Sequence, residues 1–275
     1  MANDPDAALS GGISGRTRIL GLLADPIVQA RSPAMANAWL RERGRFGDFV
    51  LVPMAVGSEG LADAVAGLRR MRNFAGAIVS MPHKSAMLPL VDEVAPEARL
   101  VGALNAVRRA DDGRLAGTML DGEGFVAGLR SAGHEVEGRT CALFGAGGAA
   151  SAIAFSLARH GCAGLAIANR TPAKAESLAE RVRAAFPCVD VRPGADPRSA
   201  YDVAINATSL GMKPDDDLPM PLGVIDRARL VAECVVAPET TRLLEVARER
   251  GRAVHGGIAM LTAQMELMLR FMGVD

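Results

Sequence analysis

Neither sign of charge prevails in this chain. Lys plus Arg equal Asp plus Glu, at 31 each across 275 residues. A neutral balance lacks the basic footprint that attracts nucleic acid or an anionic membrane surface, so neither is expected as a partner. Hydrophobic residues make up 49% of the chain, yet no apolar run reaches the ~20 residues a bilayer span needs. Residues 1–12 are polar and small and lack a signal-peptide core. Residues 1–14 are expected to be disordered. Cysteine is scarce: Cys141, Cys162, Cys188 and Cys234 show no C-x-x-C spacing. Free buried thiols in a reducing cytoplasm are the expectation. His134, His160 and His255 have no metal-ligand spacing, so no metal is expected. The length suits one large or two ordinary domains.

What is present concentrates in residues 140–171. An apolar run over 141–144 leads into Gly145-Ala146-Gly147-Gly148-Ala149-Ala150, then a helical stretch to about Arg159, then a second apolar run over 165–168. The order strand, glycine turn, helix, strand is that of a dinucleotide site. Gly145 permits the tight turn. Gly147 lets the backbone approach a pyrophosphate resting on the positive N-terminus of the helix. Ala150 closes a G-x-G-x-x-A pattern and allows close helix–strand packing. The alternative is a tight βα turn without a ligand.

The second strand ends in Asn169-Arg170-Thr171, with Lys174 one turn on. NAD sites usually carry Asp or Glu there. Asn does not repel a 2′-phosphate, while Arg and Lys attract one. NADP is therefore the expected cofactor, with NAD as the alternative. Thr171-Pro172 also reads as an N-cap followed by Pro at N1.

Apolar runs alternate with helical periodicity along the whole chain, which predicts α/β layers with mostly parallel sheets. Strands are expected near residues 18–24, 49–55, 75–81, 105–109, 115–119, 141–144, 165–168, 189–192, 203–207 and 230–235. Helices are expected near 33–42, 58–70, 85–91, 123–130, from the end of the glycine turn to about 159, and near 172–185, 240–250 and 258–271. Ser32-Pro33 reads as an N-cap and N1 pair. The predicted architecture has an N-terminal α/β domain over 15–121, joined by a C-terminal helix over 256–275. A Rossmann domain covers 122–255.

Polar residues stand as islands in the apolar first half: Ser32, Ser80 with Lys84, Asn105, and Asp121. Ser80-Met81-Pro82-His83-Lys84 follows a predicted buried strand, where sites gather in open α/β sheets. A Lys and an Asp brought together can move a proton and hold a hydroxyl. With a hydride acceptor, such a pair points to alcohol–ketone oxidoreduction. Taken singly, each is equally a solvated loop residue. His83 reads as a loop histidine. Met260, Met265, Met268 and Met272 read as core in the last helix.

In this order and spacing the motifs resemble the shikimate dehydrogenase family, including quinate/shikimate dehydrogenases. They are Pro26-Ile27 with Ser32-Pro33; Ser80 to Lys84; Gly102-Ala103-Leu104-Asn105; Asp121-Gly122-Glu123-Gly124; the glycine turn; Asn169-Arg170-Thr171; Asn206 to Met212; and Met260-Leu261 with Gln264. The resemblance spans nearly everything from Ile19 to Gly273. It implies an N-terminal substrate domain, a C-terminal NADP domain and an active site in the cleft between them. It implies Lys84 and Asp121 as the catalytic pair. Ser32, Ser80, Asn105 and Gln264 would bind substrate. Gly145, Ala146, Gly147, Gly148, Ala149, Asn169, Arg170, Thr171, Lys174, Thr208, Leu210, Met212 and Gly257 would bind cofactor. The implied partner is a small cyclic hydroxy acid, and the implied protein is a cytoplasmic monomer or homodimer.

Departures from the family pattern are specific. Ala30 stands where the family has the first of two serines that bind the substrate carboxylate, and Val236 where it has a tyrosine. Ile78 replaces an asparagine. Met119-Leu120 replaces Asn-Thr before Asp121. Losing one charge-assisted hydrogen bond costs about 1.5–3 kcal/mol, so a changed carboxylate end of the substrate is expected. The alternatives to a shikimate-like substrate are an NAD-linked quinate or related polyol-acid dehydrogenase, and a non-catalytic metabolite-sensing paralogue.

Overall fold

Strands covered on both faces are read from apolar runs without alternation, and β1 (Arg18–Ala24) shows the pattern, with its last five residues buried. The structure is a computed structural model and describes residues 12–275. For residues 1–11 the expectation of disorder lies outside the described residues. Ser14 is in place, its carbonyl accepting the Thr17 N–H at 3.1 Å.

The described chain divides into two compact units, residues 12–120 with 265–275, and residues 121–264. In the first, β1 is followed by α1 (Ser32–Glu42), β2 (Phe49–Ala55), α2 (Leu61–Arg70), β3 (Phe74–Val79), β4 (Glu93–Val94), α3 (Pro96–Val101), β5 (Ala106–Arg109) and β6 (Leu115–Thr118). The six strands order as β2-β1-β3-β5-β6-β4. β5 runs antiparallel to both of its neighbours, and the other pairings are parallel.

The second unit holds α4 (Asp121–Ser131), β7 (Thr140–Phe144), α5 (Gly148–Arg159), β8 (Gly164–Ala168), α6 (Pro172–Ala185), β9 (Asp190–Pro193), β10 (Tyr201–Asn206), α7 (Leu222–Arg227), β11 (Ala228–Glu233), α8 (Arg242–Glu249) and β12 (Ala253–His255). Its six strands are all parallel, in the order β12-β11-β10-β7-β8-β9. That is the doubly wound order of dinucleotide-binding sheets, and it puts the topological switch between β7 and β10.

α9 (Gly257–Phe271) starts in the second unit and finishes in the first. The sequence reading placed the whole of 256–275 with the first domain and ended that domain at Asp121. The contact division instead falls after Leu120 and after Gln264. Met265, Met268 and Met272 belong to the core of the first unit, beside Leu20, Leu22 and Leu40. The methionines are therefore packing residues, as read.

Four local expectations differ. The helix expected over 85–91 is a series of turns ending in a short 3-10 segment, Leu88–Leu90. Pro89 lacks the N–H an α-helix would use there. The N-cap of α1 is Arg31, and Ser32 is already its first residue. Cys234 lies one residue beyond β11. Cys188 is exposed, so the thiols are not uniformly buried. Burial pushes the Cys162 thiol up to about 11, and Cys141 higher still.

Candidate active site

The glycine turn behaves as the sequence implies. Gly145 sits at φ +124°, and a Cβ there would meet the Ala207 carbonyl at 2.8 Å. A side chain is excluded by conformation and by contact together. Gly147 is the N-cap of α5. A Cβ on Gly147 or Gly148 would have nothing within 4 Å, so open space faces the backbone where a phosphate would lie.

That space is a cavity of about 530 Å³. Gly145, Ala146 and Gly147 form its floor. Asn169, Arg170, Thr171 and Lys174 form one side, and Thr208 and Leu210 another. It lies at the carboxyl ends of β7 and β10, the switch point of the sheet. Asn169 Nδ2 donates to the Thr171 carbonyl at 3.0 Å, which shapes the turn that carries Arg170. Arg170 and Lys174 are exposed, and neither belongs to an ion pair among the described residues. Two uncommitted cations beside a glycine-floored cavity fit a dinucleotide with a 2′-phosphate.

Four residues expected at the cofactor are not in the cavity wall. Gly148 and Ala149 are already in α5. Met212 is 58% exposed and is not among the lining residues. Gly257 packs on the backbone of Cys234 and Val235, so its missing side chain serves packing. Conversely, Phe144, Ala168, Ser209 and Pro219 line the cavity and were not anticipated. Phe144, Ala168 and Ser209 each adjoin a residue that was, the first two as strand ends, whereas Pro219 comes from the loop before α7, which carried no signal.

In the first unit, Ser80, Lys84 and Asn105 are brought together by backbone. Ser80 N–H donates to Leu23 O at 2.9 Å, Leu104 N–H to Lys84 O at 2.9 Å and Val79 N–H to Asn105 O at 2.8 Å. His83 is 1% exposed, and its Nε2 lies 2.7 Å from the Val56 carbonyl. It is a structural tie, which anchors the turn that presents Lys84. Asn105 is fully buried, and its Oδ1 accepts the Leu120 N–H at 2.8 Å. Ser32 is half-buried at the start of α1.

In the second unit, Asp121 opens α4 and is 3% exposed. Gln264 Nε2 donates to its Oδ1. This pairing depends on bare faces of α4. A Cβ on Gly124 would strike Gln264, and one on Gly128 would meet Ala259 and Met260 at 3.0 Å. Two residues after Asp121, the Glu123 carboxylate accepts from Ser156 Oγ at 2.7 Å and from His160 Nε2 at 2.8 Å. Burial opposes its charge, but these bonds hold its pKa below the ordinary carboxylate value. No group of three or more His, Cys, Asp or Glu could hold a metal among the described residues. Nor is any helix there long and apolar enough to cross a membrane.

Known proteins agree with this geometry. The profile of the shikimate dehydrogenase substrate binding domain matches residues 22–107, and that of shikimate / quinate 5-dehydrogenase matches residues 129–211. The NADP(+)-dependent shikimate dehydrogenase of Geobacter metallireducens is 41% identical, over 94% of this chain and 91% of the relative. Shikimate 5-dehydrogenase from Listeria monocytogenes, solved with shikimate and NAD, superposes with a TM-score of 0.86 at 33% identity. That match covers 96% of this chain and 94% of the other. The ligand-free 5-ketofructose reductase of a Gluconobacter species gives 0.85 at 32% identity, over 94% and 93%. Profiles on both units, near-complete coverage and the glycine-floored cavity lead to one conclusion: the chain belongs to the shikimate dehydrogenase family.

Proposed function

We propose that the protein is an NADP-dependent dehydrogenase that interconverts a hydroxyl and a ketone on a small, shikimate-like cyclic hydroxy acid. The observation that carries this reading is the cavity at the β7–β10 switch, with Gly145 and Gly147 on its floor and unpaired Arg170 and Lys174 on its rim. The bound nicotinamide supplies hydride acceptance and donation. Arg170 and Lys174 would hold the 2′-phosphate, and the Gly147 turn the pyrophosphate. Lys84 would exchange a proton with the reacting hydroxyl oxygen, a task that needs a movable proton on a positioned amine. Asp121, its other side held by Gln264, would accept the hydroxyl's hydrogen bond and orient it. Ser32, Ser80 and Asn105 would contact the remaining polar groups of the ring.

A second reading concerns the substrate's charged end. Ala30 and Leu120 pack against the apolar cluster that contains Ile78. These are three of the positions where the family pattern has hydroxyl or amide groups. An apolar wall leaves a carboxylate desolvated without partners. A neutral polyol ketone needs no such partners, and the 5-ketofructose reductase shows that relatives of this fold act on one. The enzyme would serve in the cytoplasm, as free thiols suit, as a monomer or a homodimer.

A panel of shikimate, quinate and neutral keto-polyols, each with NADP(H) and NAD(H), tests both readings. Turnover with shikimate and NADP+ supports the first. Turnover confined to neutral polyol ketones supports the second. Silence on every substrate, with NADP+ still bound, would leave a binding protein and no dehydrogenase. Ala30→Ser should raise kcat/KM for shikimate about tenfold, the worth of one charge-assisted hydrogen bond.

A further inference from the structure

Asn206 ends β10, is fully buried and has no part in the chemistry above. The chain runs from it directly into the cavity wall that holds Thr208, Ser209 and Leu210. The wall starts against the glycine floor. Ala207 N–H donates to the Phe144 carbonyl at 2.8 Å, and the Ala207 carbonyl is what a Cβ on Gly145 would meet. The base of the wall is therefore set by strand pairing. Its shape beyond Ala207 is set by side chains.

A buried amide needs partners at both of its ends. Asn206 finds them within the next four residues. Its Oδ1 accepts from Thr208 N–H at 3.0 Å and from Thr208 Oγ1 at 2.7 Å. Its Nδ2 donates to the Leu210 carbonyl at 2.9 Å. The Leu210 N–H closes the knot by donating to Thr208 Oγ1 at 3.1 Å. A carbonyl demands a donor and an N–H an acceptor, so these bonds allow one orientation of the amide. Among the described residues the Thr208 N–H and the Leu210 carbonyl have no other hydrogen bond. The outer end of the segment is tied separately, by Asp216 Oδ2 accepting from the Gly211 and Lys213 N–H groups at 2.9 and 3.0 Å. Without Asn206, two backbone groups of the wall would lose their partners, and the turn would have to move to find water.

We propose that Asn206 is a positioning residue for the dinucleotide, acting through Thr208 and Leu210 to set the shape of one wall of its cavity. The proposal rests on the NADP reading of that cavity. A residue serving stability alone would, when changed, lower the melting temperature and the active fraction without altering KM. A positioning residue raises KM for the cofactor and leaves kcat nearly in place.

The test is a double-mutant cycle of Asn206→Ala and Thr208→Val, with Thr208→Ser as the variant that keeps the hydroxyl. Steady-state kinetics gives kcat and KM, and calorimetry gives Kd for NADP+. Each single change should raise KM and Kd for NADP+ about five- to tenfold, the worth of one or two hydrogen bonds, with kcat within about twofold. Thr208→Ser should stay within about twofold of wild type throughout. The double variant should exceed the weaker single one by no more than about threefold, because both changes break one knot. If Asn206→Ala does not fold, Asn206→Ser takes its place in the cycle. With wild type binding NADP+, three results each overturn this proposal alone: unchanged KM and Kd in a folded Asn206 variant, equal values for Thr208→Val and Thr208→Ser, or a double variant whose loss is the product of the two single ones. Failure of wild type to bind any dinucleotide overturns the cavity reading and this proposal with it.

Discussion

Lys84 is presented by a turn pinned at three places: Ser80 N–H to β1, His83 to the end of β2, and the Lys84 carbonyl to Leu104. Such a mount fixes the backbone from which the Lys84 side chain projects. Lys84→Ala should lower kcat about 10²–10⁴-fold, the usual worth of a positioned acid–base group. The NADP+ dissociation constant should stay within twofold, because Lys84 belongs to a different unit from the cavity. Arg170, on the proposed reading, acts on binding alone. Arg170→Ala should weaken NADP+ about tenfold and leave NAD+ within twofold. Calorimetry with both nucleotides checks this, and equal losses for the two would remove Arg170 from the 2′-phosphate. Both residues were singled out from their neighbours in the chain. The part of Asn105 that joins strands was not, because its partner Leu120 is supplied by the β5–β6 return.

α4 shows what an element adds to its residues. Asp121 at its first position is useful only if the helix lies close to α5 and to the start of α9. Gly122 provides the closeness to α5, a Cβ there striking Ala152, and Gly124 and Gly128 the closeness to α9. Gly128→Val should overpack the contact with Ala259 and Met260, at about 1–3 kcal/mol. A fall in melting temperature of about 2–4 °C per kcal/mol is expected, with kcat falling as Gln264 shifts. An unchanged melting temperature would mean that the helices separate freely. Elements with strong end signals were readable in advance: α6 spans Pro172–Ala185, as its Thr171-Pro172 start predicts. Elements such as α3, α7, β4 and β12 escaped notice, being too short to complete a period. The segment around Pro89 was misread because its composition suits a helix while its proline interrupts one.

Across the whole molecule, titration follows from which carboxylates are held. Glu123 and Asp202 have folded pKa values below the ordinary carboxylate ones, despite burial, through bonds from His160, Ser156 and Thr140. A lowered folded value contributes stability above the unfolded pKa, lost as pH falls through the folded one. Glu233 has the opposite sign: burial raises it, so its contribution is lost as pH rises through its folded value. Melting temperature should therefore fall steeply once pH drops below the ordinary glutamate value of 4.5. Glu123→Gln should be less stable than wild type at neutral pH and converge with it in acid. Parallel curves at every pH would show that Glu123 is not held as its bonds indicate.

The order of elements, the glycine turn, the basic end of β8 and the family itself follow from local pattern, because strand and helix periods and turn chemistry are properties of neighbouring residues. The chain order alone left open where β10 would lie. Packing put it beside β7 and so made a switch point, a cavity and a wall at 208–210. Packing likewise buried Glu233 against Asn206, 27 positions earlier in the chain. No period relates two such residues. Long-range strand register brings them together.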